Sequence, residues 1–391
     1  MFSEFNSALK KENRKIHHHE DINPNKYASF VEEIESKIYY KDKNKGNIRL
    51  LSESKRNLSS PKANLIILLL LIFISMSSMT YTTENVQLRK LNSYNNFIIL
   101  TIQGKGQQSI INENFEPLPD IIEINGENIE TIDRSQELTA DINQIKLTWN
   151  SQLTSCENMF KDLENMTMID LTNFDFSIVD YMNSCLEGCV SLKTVDFSNV
   201  NASNVKNMNY IFSNCKSLIY VNFINFRTNK IEDLSRIFEN CENITSIDLS
   251  SFDTPKLISL YGSFNGCISL TYINLDNIKT SKVTNMGYMF RRCTSLVSLN
   301  LINFDTESVG YMNSMFADCI SLISLDLSNF KTDKVREMDG LFSYCKSLSS
   351  LSLINFNTSL VEKMRDMFSG CSDLISIDLS SFQTEKVKSI S

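Results

Sequence analysis

Eight cysteines recur at an unvarying interval of 26 residues through the second half of this 391-residue chain. They are Cys189, Cys215, Cys241, Cys267, Cys293, Cys319, Cys345 and Cys371. A fixed period of this size indicates an array in which one short supersecondary unit is stacked on copies of itself. Because such an array presents long and regular surfaces, the period favours a recognition or display scaffold over a catalyst.

The apolar columns of the repeat keep the same register when each cysteine is counted as position 0. Positions 6 and 8 are apolar in every repeat and alternate with polar residues, as in a half-buried strand. Positions 16, 19 and 23 and the next cysteine are mostly apolar and share one face of a helix. A threonine at position 13 can cap that helix. We therefore predict an α/β solenoid, a leucine-rich-repeat-like array of 26-residue strand–turn–helix units, over residues 150–391.

One repeat, Cys293 to Cys319, reads CTSLVSLNLINFDTESVGYMNSMFADC. It is similar to the 26-residue repeat of bacterial-type surface proteins, the BspA-like leucine-rich-repeat family. The resemblance recurs in register over about residues 150–391. It implies a leucine-rich-repeat-like solenoid displayed at a cell surface, with adhesion or ligand recognition as its role, and it offers no catalytic residues to carry over.

The segments before the repeats have other compositions. Residues 1–62 hold 13 Lys and Arg against 9 Asp and Glu and are predicted to be a basic, disordered cytoplasmic tail. Residues 63–81 contain the apolar run Leu65–Ile74 and are predicted to be a transmembrane signal-anchor, with cleavage or burial in the protein as alternatives. Positive charge before this run places the tail inside and the repeats outside the cell, in a single-pass membrane protein.

Residues 82–94 are predicted to be a linker and 95–149 a small β-rich N-terminal cap. Strand candidates flank Asn125-Gly126, a strong hairpin signal. Such a cap would cover the open end of the array. The chain stops at Ser391, position 20 of its repeat, so we expect a fragment that is incomplete at its C-terminus.

The distribution of histidine and cysteine predicts neither a catalytic site nor a metal site in the repeats. Histidine is absent after His19, which removes Ser-His and Cys-His nucleophile pairs from the repeats. A cysteine ladder diverges along its axis and is a poor tetrahedral metal site. The thiols are expected to be buried and unpaired, with disulfides between neighbouring repeats as the alternative. With a net charge of −8, the chain has no nucleic-acid footprint. We predict no enzyme activity and no cofactor.

If the repeats bind a partner, we expect it on the outward strand positions 5, 7 and 9, which vary while the core does not and which mix Tyr, Asp, Asn and Ile. A solvated polar face without a ligand is the alternative for position 7. The candidate residues are Tyr220, Asn222, Ile224, Asp248, Tyr272, Asn274, Asp276, Asn300, Ile302 and Asp326. The expected ligand is a protein or glycan surface. Four acceptor sequons, at Asn165, Asn201, Asn243 and Asn357, are glycosylation candidates.

These patterns predict a membrane-anchored cell-surface protein that binds a macromolecular or cell-surface partner through the strand face of its solenoid. Two alternatives stay open. One is a membrane-tethered intracellular scaffold for protein–protein interaction, and the other is a structural surface-coat protein.

Overall fold

The computed structural model describes residues 39–41, 48–50 and 96–389. The chain divides into two compact units, Met1–Asn92 and Ser93–Ser391. In the first unit, strands β1 (Tyr39–Lys41) and β2 (Ile48–Leu50) pair antiparallel, within the segment predicted to be a disordered tail.

The predicted transmembrane anchor, residues 63–81, and the linker 82–94 lie outside the described residues. In the part of the chain that the structure describes, no helix is long and apolar enough to cross a membrane. The predicted single-pass placement, with a cytoplasmic N-terminus and extracellular repeats, is corrected accordingly: the described structure does not support it.

The second unit begins with antiparallel strands. They are β3 (Asn96–Gln103), β4 (Gly106–Ser109), β5 (Ile121–Ile124), β6 (Glu127–Asn128), β7 (Ser135–Leu138) and β8 (Ile142–Trp149). Asn125 and Gly126 both have positive φ, 54° and 87°, and close the tight turn between β5 and β6. The buried indole of Trp149 donates a hydrogen bond to the carbonyl of Pro117, with 3.0 Å between the two atoms.

Short parallel strands follow. The first spans positions 3 to 7 of its repeat, the next four span positions 5 to 7, and the last two span positions 5 and 6. They are β9 (Met166–Asp170), β10 (Thr194–Asp196), β11 (Tyr220–Asn222), β12 (Ser246–Asp248), β13 (Tyr272–Asn274), β14 (Ser324–Leu325) and β15 (Ser350–Leu351). Paired residues are 26 apart, as in Val195 with Val221 and Ile247 with Ile273. One sheet has the order β11-β10-β9-β3-β8-β5-β6, so β3 joins the N-terminal strands to the repeats.

A second ladder of parallel bridges runs along position 18 of the repeats. It links Ser155, Tyr181, Asn207, Asp233, Ser259, Asn285, Tyr311, Glu337, Lys363 and Ser389. The repeats therefore pair through the backbone along the short strands and also along this ladder of bridges.

The predicted α/β solenoid of strand–turn–helix units is wrong, because residues 96–389 contain no helix. Where the helix was expected, backbone N–H groups bond to carbonyls of the next repeat. Met208 donates to Asp233 (3.2 Å), Tyr210 to Ser235 (3.0 Å) and Phe212 to Ile237 (3.0 Å). An α-helix would instead use carbonyls four residues earlier in the same segment. Single turns stacked between repeats replace the helix.

Left-handed residues at positions 21 and 25 explain why no helix forms. In the repeat that starts at Cys189, Tyr210 has a φ of 57° and Asn214 a φ of 61°. Later repeats keep positive φ at both places, as at Gly262 (61°) and Gly266 (79°). Two residues with positive φ, four positions apart, interrupt a right-handed helix in each of these repeats. The apolar residues at positions 16, 19 and 23 still reach the core, because turns of this length also bring every third or fourth side chain inward.

The threonine at position 13 also differs from its predicted helix-capping role. Its buried hydroxyl both donates to and accepts from the backbone of position 12 in the next repeat. For Thr306, the hydroxyl lies 2.9 Å from the carbonyl oxygen and 2.8 Å from the amide nitrogen of Lys331. Thr280, Thr332 and Thr358 make the same pair of bonds. The column therefore joins neighbouring repeats.

Replacing Thr306 by valine is expected to lower the free energy of unfolding by about 1–3 kcal/mol, because the shape is kept while two buried backbone groups lose their partner. Thr306→Ser keeps the hydroxyl and removes one methyl group, so it should cost about 1 kcal/mol. Urea denaturation of both variants measures the difference. A valine variant no less stable than the serine variant would contradict the bridging role.

The core is a stack of identical side chains. Phe212, Phe238, Phe264, Phe290, Phe316, Phe342 and Phe368 stack ring on ring, with centroids 5.1–6.1 Å apart and planes within 17°. The cysteines form a parallel column beside them. All ten are free thiols, and nine are buried. The Sγ of Cys241 lies 3.1 Å from the carbonyl oxygen of Phe212, to which it donates. This geometry supports the unpaired interpretation over disulfides.

Candidate functional site

The outward surface of the short strands is called here the strand face, formed by positions 4, 5, 7 and 9 of each repeat. Its backbone is set by the strand alternation: in β12, Ser246 and Asp248 are exposed on either side of buried Ile247. Parallel pairing in register then places equivalent side chains beside each other, about 4.8 Å apart.

The ten candidate residues lie on this face. Neighbouring repeats bring Asp248 next to Asn274 and Ser246 next to Tyr272. Tyr220 lies in the preceding strand and is separated from Tyr272 by the repeat that carries Ser246. The apolar and aromatic candidates are about half exposed: Tyr220 48%, Ile224 59%, Tyr272 58% and Ile302 56%. Asp276 is exposed at the end of its strand.

Five of the candidates, those at position 7, have a structural role that the sequence interpretation missed. In each, the side-chain Oδ1 accepts a hydrogen bond from the backbone N–H of position 9. These are Asn222, Asp248, Asn274, Asn300 and Asp326, with N···O distances of 2.9–3.2 Å. Such a bond is an Asx turn, and it ends the strand. The enrichment of Asn and Asp in this column was the available signal.

The Asx turn also fixes the orientation of the position 7 side chain on the strand face. With Oδ1 bonded inward to the turn, Asn222, Asn274 and Asn300 keep an amide Nδ2 that makes no hydrogen bond to the described residues. Backbone and side-chain hydrogen bonds from Ser328 lower the pKa of Asp326, so that carboxylate stays charged. The face therefore carries a preoriented row of polar groups.

Position 4 adds exposed apolar residues that sequence reasoning did not single out. Ile219 and Ile323 are each 50% exposed, and Val297 is 47% exposed. They flank the Asx row on the side opposite position 9. The sequence signal for these residues was an apolar side chain at position 4, just before the strand and outside the core columns at positions 6 and 8.

Two of the four sequon asparagines, Asn165 and Asn243, lie in turns, whereas Asn201 forms a parallel bridge with Arg227. Asn165, Asn201 and Asn243 are exposed, whereas Asn357 is only half exposed. The amide of Asn357 bonds to Asp333, and its backbone N–H bonds to Thr332. Accessibility therefore separates Asn357 from the other three.

No group of three His, Cys, Asp or Glu side chains within the described residues is arranged to hold a metal ion. Burial raises the pKa of the cysteine thiols, to about 12 for Cys185 and Cys319. Thiols in this state are poor nucleophiles at neutral pH.

These features define a class: a protein of stacked 26-residue repeats, joined by parallel strands and inter-repeat turns, whose surface is a set of regular polar and aromatic columns. The chain belongs to the family described as "Mycoplasma protein of unknown function, DUF285", whose model matches residues 154–272, 217–323, 258–351 and 319–391. The overlapping matches follow the repeats. They establish a repeat family and do not single out the BspA-like proteins. None of the curated proteins matches the chain.

Proposed function

We propose that this chain is a non-catalytic recognition protein that binds a macromolecular partner, a protein or a glycan, through its strand face. The observation that carries the proposal is the preoriented row of Asx side chains at position 7, flanked by half-exposed Tyr220 and Tyr272 and by Ile224 and Ile302. Fixed side chains lose little conformational entropy on binding. Tyrosine supplies large contact area at low entropic cost.

The similarity of the repeats to those of BspA-like leucine-rich-repeat proteins also supports recognition, since that is the role usually proposed for such proteins. Binding needs no cofactor in this proposal. In this proposal, specificity comes from the order of acidic and amide side chains along the row, which is Asp196, Asn222, Asp248, Asn274, Asn300 and Asp326.

The test uses substitutions that other repeats already carry at the same positions. Tyr220→Ser and Tyr272→Ser match Ser246 and Ser298 at position 5, and Ile224→Ser and Ile302→Ser match Ser250 and Ser328 at position 9. The fourfold variant is expected to keep its melting temperature and to lose binding to partners captured on protein and glycan arrays.

A control variant carries Ile258→Ser and Tyr311→Ser, which remove exposed side chains of the same types at positions 17 and 18. It should bind like the native chain. If the strand-face variant binds every captured partner as tightly as the control, recognition through this face is excluded and a purely structural role is favoured.

A further inference from the structure

A depression of about 470 Å³ lies in the stacked turns of four consecutive repeats. It is formed by residues at positions 20, 21, 24 and 25, whereas the strand face is formed by positions 4, 5, 7 and 9. Its volume is within the range of sites that bind small ligands, about 300–1,000 Å³. The depression is therefore a candidate site separate from the strand face.

Small residues at positions 21 and 24 of two neighbouring repeats leave this space. They are Ser314, Ala317, Gly340 and Ser343. The preceding repeat carries large side chains at the same two positions, Tyr288 and Arg291. Gly340 is buried with a φ of 62°, and a Cβ atom added there would lie 3.1 Å from the Oγ of Ser314. The floor of the depression thus depends on residues that the other repeats do not share.

Polar side chains of both signs form the walls. Arg291 and Arg365 supply guanidinium groups, and Asp318, Asp339 and Asp366 supply carboxylates. The Nε of Arg291 lies 3.7 Å from the Oδ2 of Asp318, beyond hydrogen-bond distance. The Oδ1 of Asp339 accepts a hydrogen bond from the backbone N–H of Arg365 at 2.7 Å, which fixes the orientation of that carboxylate. The walls therefore place hydrogen-bond donors and acceptors side by side with nearly balanced charge.

Tyr344 adds an exposed aromatic ring to this site. Its φ is 57°, at position 25, where most other repeats hold Gly, Asn or Asp. A Cβ atom on Gly370 would lie 2.6 Å from the Cδ1 of Tyr344, so the ring fits only because the next repeat has a glycine there. The residue is still 49% exposed. A tyrosine is therefore kept at a conformational cost, and such local strain points to a use other than folding.

We infer that this depression binds a neutral oligosaccharide. A hydroxyl group donates one hydrogen bond and accepts others, so adjacent sugar hydroxyls pair with carboxylates and guanidinium groups that lie side by side. The C–H face of a sugar ring packs on an exposed aromatic ring, which Tyr344 supplies. Two guanidinium groups against three carboxylates give an anionic ligand no net attraction. The inference does not depend on recognition through the strand face.

The probe is an array of short neutral oligosaccharides of glucose, galactose, mannose and N-acetylglucosamine, incubated with the 391-residue chain. Titration calorimetry then gives the Kd of each retained sugar. Tyr344→Asn should weaken binding about tenfold without lowering the melting temperature, because Asn214 and Asn240 adopt positive φ at the same position. Ser314→Tyr fills the floor with the residue that Tyr288 places at position 21, and it should abolish binding.

Two controls should bind like the native chain. Tyr210→Ser removes a tyrosine from a left-handed position outside the depression, where Ser184 and Ser314 show that serine is accepted. The fourfold strand-face variant keeps the depression and separates this site from the proposed function. Retention of no neutral oligosaccharide, or equal retention by the Ser314→Tyr variant, would overturn the inference. Tighter binding of a sialylated or sulfated sugar than of its neutral parent would overturn the assignment to a neutral ligand.

Discussion

Replacing Phe290 by alanine is expected to lower the free energy of unfolding by about 3–5 kcal/mol. The ring is fully buried and stacks on Phe264 at 5.4 Å and on Phe316 at 6.0 Å. Removing it leaves a cavity at two junctions, because the same ring contacts the repeats before and after its own. Equilibrium denaturation in urea, followed by circular dichroism, gives the value.

Phe368→Ala is the matched control for this substitution. Phe368 belongs to the same column but is only partly buried, and its ring stacks on Phe342 alone. It should cost less than half as much as Phe290→Ala. If the two substitutions cost the same, the stacked column is not what holds neighbouring repeats together.

Raising the pH above about 9 is expected to destabilise the repeats steeply, since burial holds the pKa of the thiols above their usual value of about 8.5. The pKa is about 12 for Cys185 and Cys319 and is also raised for the other buried thiols. Between the unfolded and folded pKa values, the unfolded chain loses thiol protons and the folded chain keeps them. Stability therefore falls as pH rises, by roughly 1 kcal/mol per pH unit for each thiol.

Nine buried thiols act together in this effect. Within about two pH units above pH 9, their summed loss of stability equals the free energy of unfolding of a typical domain, about 5–15 kcal/mol. Urea denaturation between about pH 8 and pH 11 measures the slope of stability against pH. The double variant Cys293→Ala and Cys319→Ala should show a shallower slope by two thiols, whatever it costs at pH 7. An unchanged slope would contradict a thiol origin for the alkaline loss.

Much of the repeat could be predicted from the sequence, because its period fixes the register. Columns that are apolar in every repeat are buried in most repeats, as at Leu270 and Leu296. Residues 26 apart pair in parallel, as Val195 does with Val221. The exposure of Tyr220 and Ile224 also follows from strand alternation. These features depend only on which side chains avoid water.

The turns could not be predicted from apolar spacing, since a helix and a stack of single turns bury every third or fourth residue alike. The distinguishing signal was in the dihedral preferences of position 25, where Gly188, Asn214, Asn240 and Gly266 are residues that accept positive φ. The Asx turns at position 7 were not predicted either, because they depend on where the backbone bends after the strand.

The ladder of single bridges at position 18, from Ser155 to Ser389, has a consequence for how such a chain can change its length. Each junction uses backbone groups at the same positions, and the threonine and phenylalanine columns repeat the same contacts across most of them. Any repeat can therefore stack on any other repeat, provided that equivalent positions stay 26 residues apart. Gain or loss of a whole 26-residue unit would change the length of the array by about 4.8 Å and preserve every type of inter-repeat bond. A change of a few residues within a unit would disrupt the strand ladder and the position 18 ladder together. The array can therefore gain or lose whole repeats, which changes the length of its strand face while the residue types of its core stay the same.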